Sequence, residues 1–280
     1  MKKQASFSRE GFLNENYHYF HLKDTAGQEK SFHFHEFDKI VILLAGKVDY
    51  TVESTVYSLP PRSVLLVPHH AIHRADIDVT VPYERIILYL DSLFFERSMP
   101  SAGLMHCFHS ADRTGQYLLL PTRKQAQDLE GFLQAYEAAR TDEEYGSEAM
   151  RDTLIMQFLI AVNRISAAGP AVQGSDKHFD EKIRSTLSFI NENLAGDLSV
   201  DVLSERVFLS RYHFMRLFKQ QTGSPVHAYI RQKRLLYAAR MIREGMPAGQ
   251  AATEAGFNDY SVFSRAFRES FGIRPGDLKK

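Results

Sequence analysis

The chain has 280 residues, 44% hydrophobic and 24% charged side chains and a formal net charge of zero, a length that suits two ordinary hydrophobic cores better than one. No run approaches the roughly 18 apolar residues of a membrane span, and the basic start Met1-Lys2-Lys3 leads into polar residues rather than an apolar signal core; a soluble, cytoplasmic chain with no membrane partner is the expectation. The single Cys107 excludes an internal disulfide and a cysteine-based zinc site.

Neutrality hides an asymmetry. Up to residue 175 there are 17 basic and 22 acidic side chains, and from residue 176 onward 17 basic and 12 acidic, so −5 is followed by +5. A basic second part suits a nucleic-acid partner for that part alone.

From Phe32 to Asp91, β-branched and aromatic runs at Ile40 to Leu44, Val48 to Val52, Val64 to Val67 and Arg85 to Leu90 alternate with Gly46, Pro60-Pro61, Pro68 and Pro82. Short strands at such spacing predict an antiparallel sandwich or barrel. After Pro121 the apolar period becomes helical, with Leu129, Phe132, Leu133 and Tyr136, then Met150, Leu154, Phe158, Val162 and Ile165. These two helices either cover the barrel or pair with a second copy. The uncharged stretch around Gly169-Pro170 has the composition of a linker. The expected division is a strand-rich domain over 1–168, a linker over 169–177 and an all-helical domain over 178–280, in all an α+β multidomain chain.

The helical part begins with Phe179, Ile183, Leu187, Ile190 and Leu194 on one face. Residues 199 to 221 then hold a short helix (Val202, Leu203, Val207), a turn at Phe208-Leu209, and Ser210 as N-cap of a second helix. Phe214, Leu217 and Phe218 form that helix's buried stripe, which directs Arg211, Tyr212, Met215, Arg216 and Lys219 outward. About 48 residues later the pattern returns: a short helix at Pro247 to Glu254, a turn at Ala255-Gly256-Phe257, a cap at Asn258 or Asp259, then a helix burying Phe263 and Phe267 and presenting Tyr260, Ser261, Ser264, Arg265 and Arg268. One long helix from Pro225 to Arg243, several of its arginines outward, separates the two units by nearly the ~34 Å between successive major-groove faces.

Leu209-Ser210-Arg211-Tyr212-His213-Phe214-Met215-Arg216-Leu217-Phe218-Lys219, Thr222-Gly223-Ser224-Pro225 and the stretch from Gly256 to Arg268 resemble the AraC/XylS transcription regulators over residues 199 to 278. The resemblance implies base-edge contacts from Tyr212, Met215 and Arg216 and from Ser261, Ser264 and Arg265. It assigns backbone contacts to Ser210, Lys219 and Arg268. Guanidinium forks at Arg216 and Arg265 suit guanine O6 and N7, and Met215 suits a thymine methyl. It further implies promoter DNA, a small-molecule effector and RNA polymerase as partners, a homodimer, and activation rather than repression. Two departures stand out: alanines and Gly249 where bulky aliphatics usually fill the first helix of the second unit, which implies looser packing, and Leu278-Lys279 in place of an aromatic followed by arginine.

Nine of the twelve histidines precede residue 110. His33, His35 and the stretch from Pro61 to His73 resemble the cupin barrel of such sensors. Alternation on a strand would send His33 and His35 into a barrel, to be met by His73 and Tyr50, with Phe37 available for stacking. Three imidazoles would suit a transition metal, but Lys39 stands where metal-binding cupins carry a glutamate, with Glu36 and Asp38 out of step, and Pro61-Arg62-Ser63 replaces the expected Pro-x-Gly. No cofactor is therefore expected, with a metal at His33, His35 and His73 as the alternative. The reading is a ligand-responsive regulator whose effector, by resemblance, is carbohydrate-related. Its rival is a cupin enzyme with an accessory helical domain, against which Lys39 and the intact second helix unit weigh.

Overall fold

A computed structural model describes residues 13, 15–24, 32–35, 37–53, 55–69, 71–169, 172, 174 and 180–278. The described residues fall into two compact units, one comprising 13–24 and 37–174, the other 32–35 and 180–278. Gly27, Glu36, His70, Phe179, Lys279 and most of the 169–177 linker lie outside the described residues. Of that linker, Val172 packs on the core of the first unit, and a Cβ at residue 174 would overlap Thr55 and Val56. The chain thus stays with the first unit beyond the expected boundary at residue 168.

The first unit runs β1 (Tyr17–Asp24), β2 (Asp38–Ala45), β3 (Val48–Val52), β4 (Thr55–Ser58), β5 (Val64–Val67), β6 (His73–Ile77), β7 (Tyr83–Leu90), α1 (Ser92–Ser98), α2 (His106–Thr114), β8 (Leu118–Leu119), α3 (Arg123–Ala139) and α4 (Ser147–Ala168). Two antiparallel sheets result, ordered β1-β7-β2-β5-β8 and β4-β3-β6. The expected strands are β2, β3, β5 and β7; β1, β4 and β6 add to them. Gly46 turns β2 into β3 at φ 107°, where a Cβ would stand 2.8 Å from the Pro82 carbonyl oxygen, so only glycine fits. Arg62 takes φ 69°. The left-handed residue of this turn is therefore the second after Pro60, one position earlier than the Pro-x-Gly comparison placed it.

Strand alternation sorts the larger sheet into two faces. Lys39 sits opposite Tyr89 on one side and Val67 on the other, and its amine reaches Tyr50 of the smaller sheet. The face carrying Lys39, Val41, Arg85, Ile87 and Tyr89 thus lies between the sheets. The opposite face bears Tyr17 and Tyr19, whose rings meet Tyr136 of α3 and whose hydroxyls donate to Asp152 of α4 at 2.8 Å and Glu137 of α3 at 2.6 Å. The α3–α4 pair therefore covers the barrel, one of its two expected roles. Thr122 and Gln125 start α3 with a reciprocal capping box.

The second unit comprises α5 (Glu181–Glu192), α6 (Val200–Arg206), α7 (Arg211–Thr222), α8 (Val226–Arg243), α9 (Ala248–Glu254) and α10 (Tyr260–Phe271). Four of these six helices start where side-chain oxygens accept from orphan backbone N–H groups, at Asp180, Ser199, Ser210 and Asp259, while Pro225 and Pro247 precede α8 and α9. The alanines of α9 do not loosen it. Ala251, Ala252 and Ala255 are buried in one cluster with Leu235, Ala238 and Ala239 of α8 and with Phe263 and Phe267 of α10, so their small side chains let the helices approach closely.

Candidate DNA interface and effector site

The first helix-turn-helix is α6, a turn over 207–210, and α7. Leu203, Val207, Phe214 and Phe218 are buried beneath it. Phe208 holds the turn at φ 53° while 91% exposed. Burial of the phenylalanine stripe leaves Ser210, Arg211, Tyr212, Met215, Arg216 and Lys219 on the open face of α7. Tyr212 is 75% exposed. The Ser210 hydroxyl accepts from the His213 N–H at 3.4 Å, which ties this residue to the helix start as well as to any phosphate. Arg211 is already engaged, since its Nε ion-pairs with Asp201 of α6.

The second unit repeats the geometry with α9 and α10. Asp259, one of the two expected caps, accepts from the Ser261 and Val262 N–H groups at 2.6 and 3.1 Å. Tyr260, Ser261, Arg265 and Arg268 are exposed, whereas Ser264 is half-buried. Phe263 and Phe267 are fully buried. Between the units α8 spans 18 residues, about 27 Å at 1.5 Å per residue.

One arginine of α8 is held by backbone carbonyls. Arg234 turns inward: its Nε donates to the Leu194 carbonyl at 2.8 Å, Nη1 to Gly256 at 2.9 Å and Nη2 to Gly196 at 2.8 Å. One planar fork thereby joins the end of the α5 segment to the turn preceding α10. At Gly256, φ is 86° and a Cβ would lie 2.8 Å from the Leu194 oxygen, so the turn closes on the same carbonyl that Arg234 holds. Lys233 is buried too, its amine 5.5 Å from the Tyr229 ring centroid.

The proposed effector residues divide. Tyr50 and His73 face each other in the barrel, their rings stacked at 6.1 Å and 13°, with His73 Nδ1 3.0 Å from the Ala71 carbonyl. Burial raises the Tyr50 phenol well above its ordinary value, so it stays a neutral hydroxyl. His33 and His35 are elsewhere: residues 32–35 belong to the helical unit, where the Phe34 ring meets Tyr229 at 5.8 Å. The reason is physical. This segment forms only an isolated bridge at His33 rather than a strand, and Phe34, between the two imidazoles, finds apolar cover against α8. Among the described residues no three His, Cys, Asp or Glu side chains are grouped so that they could hold a metal ion. Phe37 is buried against Tyr89, ring centroids 4.2 Å apart, rather than free to stack on a ligand.

Comparison with known proteins matches residues 16–159, more than half of the chain, to the model of an AraC-like ligand binding domain, and residues 203–280 to that of a helix-turn-helix domain. The chain belongs to the AraC family. Relatives align over most of its length: a probable transcriptional regulator, LumQ, of Photobacterium leiognathi is 27% identical over 90% of this chain and 93% of its own. The HTH-type transcriptional activator RhaS of Escherichia coli is 24% identical over 89% and 87%. Among solved structures, ToxT of Vibrio cholerae aligns over 94% of this chain and 96% of its own at 13% identity and a TM-score of 0.36. This AraC-family chain is thus a transcriptional regulator with a ligand-binding domain and a DNA-binding domain. No helix among the described residues is long and apolar enough to cross a membrane.

Proposed function

We propose that the chain is an effector-responsive, sequence-specific transcription activator that acts as a homodimer on promoter DNA and contacts RNA polymerase there. The supporting observation is the duplicated exposed face: Tyr212, Met215 and Arg216 on α7, and Ser261 and Arg265 on α10, each carried by a capped helix over a phenylalanine core. Arg216 and Arg265 each read a guanine, and Lys219 and Arg268 hold phosphates, which sets register without sequence information. Activation is the role named for the RhaS relative. Dimerisation uses the outer side of α4, where Met150 is exposed and Leu154 half-exposed. Small-molecule binding between the sheets shifts the population of DNA-competent dimers, which requires unequal effector affinity for the two states. The family resemblance points to a carbohydrate-related effector, a choice the polar groups of the barrel bear on below. Catalysis has no part in this function.

The test is selection from random duplex DNA with the full chain. A bipartite motif with half-sites about one turn apart is expected, Arg216→Ala relaxing one half-site and Arg265→Ala the other by about 1 to 3 kcal/mol. Steeply salt-dependent binding with no enriched motif would refute specific readout.

A further inference from the structure

Among the described residues, the barrel holds a buried cation with no carboxylate paired to it. Lys39 is 6% exposed and lies between the two sheets. Its amine donates to the Tyr50 hydroxyl at 2.7 Å and stands 5.4 Å from that ring's centroid. Among the described residues no carboxylate pairs with it. Of its titratable neighbours on the same inward face, Tyr89 acts to raise the amine's pKa and the cation Arg85, more weakly, to lower it. The nearest acid in sequence, Asp38, alternates to the opposite face, where it accepts from His69 and Ser92. An ammonium removed from water without an anion is disfavoured, and burial does push the Lys39 amine down from its ordinary value.

The surroundings are shaped like a receptacle for the missing partner. Tyr50, which accepts from Lys39, keeps its own hydroxyl proton to donate, and the stacked His73 ring holds the phenol in place. Away from this closed end, the inward residues Phe20, Leu22, Arg85, Ile87, Tyr89 and Ala75 are all half-exposed. The opposite face buries Ile86, Leu88 and Leu90, so the accessible side chains of β7 are those on the inward face. Its wall combines the edge-to-face Phe20 and Tyr89 rings, 5.1 Å apart, with Ile87 and Leu22, and its polar members are Arg85 and His18, which lies against Phe20 and is hydrogen-bonded to Glu15.

We propose that the effector is a small organic acid with an apolar or aromatic body, its carboxylate paired with Lys39 and hydrogen-bonded by Tyr50, its body lying against Phe20, Ile87 and Tyr89. A neutral sugar would supply hydroxyls but leave the ammonium uncompensated; a carboxylate supplies both the charge and two acceptors. The proposal rests on the effector-responsive reading above and names the ligand class for the same barrel.

The experiment is calorimetric titration of the purified full chain with octanoate, 3-phenylpropionate and glucuronate, each against its neutral counterpart: octanamide, 3-phenylpropionamide and glucose. At least one of the two apolar acids is expected to bind about tenfold more tightly than its amide. Lys39→Met, which fills the space without the charge, should remove that preference while leaving the thermal midpoint of the unliganded protein equal or higher. Amides that bind as well as acids, an acid preference that survives in Lys39→Met, tightest binding by glucose, or no binding by either apolar acid would each overturn the assignment. DNA selection on the same preparation separates the two readings. Specific DNA sites without acid preference sink the effector class alone, whereas acid binding without any DNA motif sinks the regulatory reading.

Discussion

Replacing Arg234 tests whether the second reading head is held in place by one side chain. Arg234→Ala removes three hydrogen bonds from a charged donor to the carbonyls of Leu194, Gly196 and Gly256. The Gly196 carbonyl is exposed, and it borders a groove of about 570 Å³ lined also by His227, Arg231 and Asn258, so water replaces that bond at little cost. The other two carbonyls are partly buried, and each loses a charge-assisted bond worth about 1 to 1.5 kcal/mol, for a total near 2 to 3 kcal/mol. Arg234→Lys is expected to lose more than half as much, because a single ammonium cannot span carbonyls arranged around a planar fork. Hydrogen exchange of the α8 to α10 amides in the full chain measures the opening free energy, and footprinting shows whether the half-site read by α10 fades before the one read by α7. A loss below about 0.5 kcal/mol, or a lysine variant that behaves as wild type, would refute the argument that the fork organises this turn.

The Phe208→Gly variant should raise stability by about 1 kcal/mol, because a non-glycine residue at φ 53° is strained and its 91% exposed ring has little packing to lose; a lower thermal midpoint would show that the ring is held by something other than solvent. Asp201→Asn frees Arg211 from its ion pair and should steepen the salt dependence of DNA binding by up to about one phosphate's worth of slope, with tighter binding at low salt; an unchanged slope would mean that Arg211 stays off the backbone. Burial tends to raise the carboxyl pKa of Asp38, but His69 and the hydrogen bond from Ser92 outweigh it and hold the value below the ordinary range. Because the folded value lies below the unfolded one of about 3.9, its stabilisation is complete above that pH and is lost as pH falls through the folded value. Asp38→Asn should therefore lower the barrel's unfolding midpoint at pH 7 and converge on wild type in acid. A gap that stays constant with pH would count against the charge.

Where a residue's surroundings are local, the sequence was informative. Val64 to Val67 and Ile40 to Leu44 read as strands because β-branched residues crowd them. The helix-turn-helix pair reads from caps and phenylalanine spacing, features set within a dozen residues. β1, Tyr-His-Tyr-Phe-His-Leu-Lys-Asp, and β6, His-Arg-Ala-Asp-Ile, are too polar to announce themselves, because their pairing with β7 and β3 supplies what composition does not. Arg234 resembled any solvated arginine, since the carbonyls it holds come from turns 22 and 40 residues away. Lys39 was legible as an obstacle to a metal but not as a buried cation, which only the packing of two sheets makes it. Strand alternation does not reach His33 and His35, because their segment forms only an isolated bridge and the intervening Phe34 packs with the helical unit.

That segment alters what a module boundary means in this protein. Residues 32–35 are encoded between the first two strands of the barrel, yet Phe34 belongs to the apolar cluster of the helical unit. By its contacts the helical unit is therefore discontinuous along the chain, although the ligand-binding family match runs through residues 32–35. A truncation or a chimaera joined anywhere in the linker transplants six helices but leaves behind an aromatic side chain that covers Tyr229 and Lys233 of α8. An exchange of the helical unit between relatives would have to carry residues 32–35 with it to keep that cover over Tyr229 and Lys233.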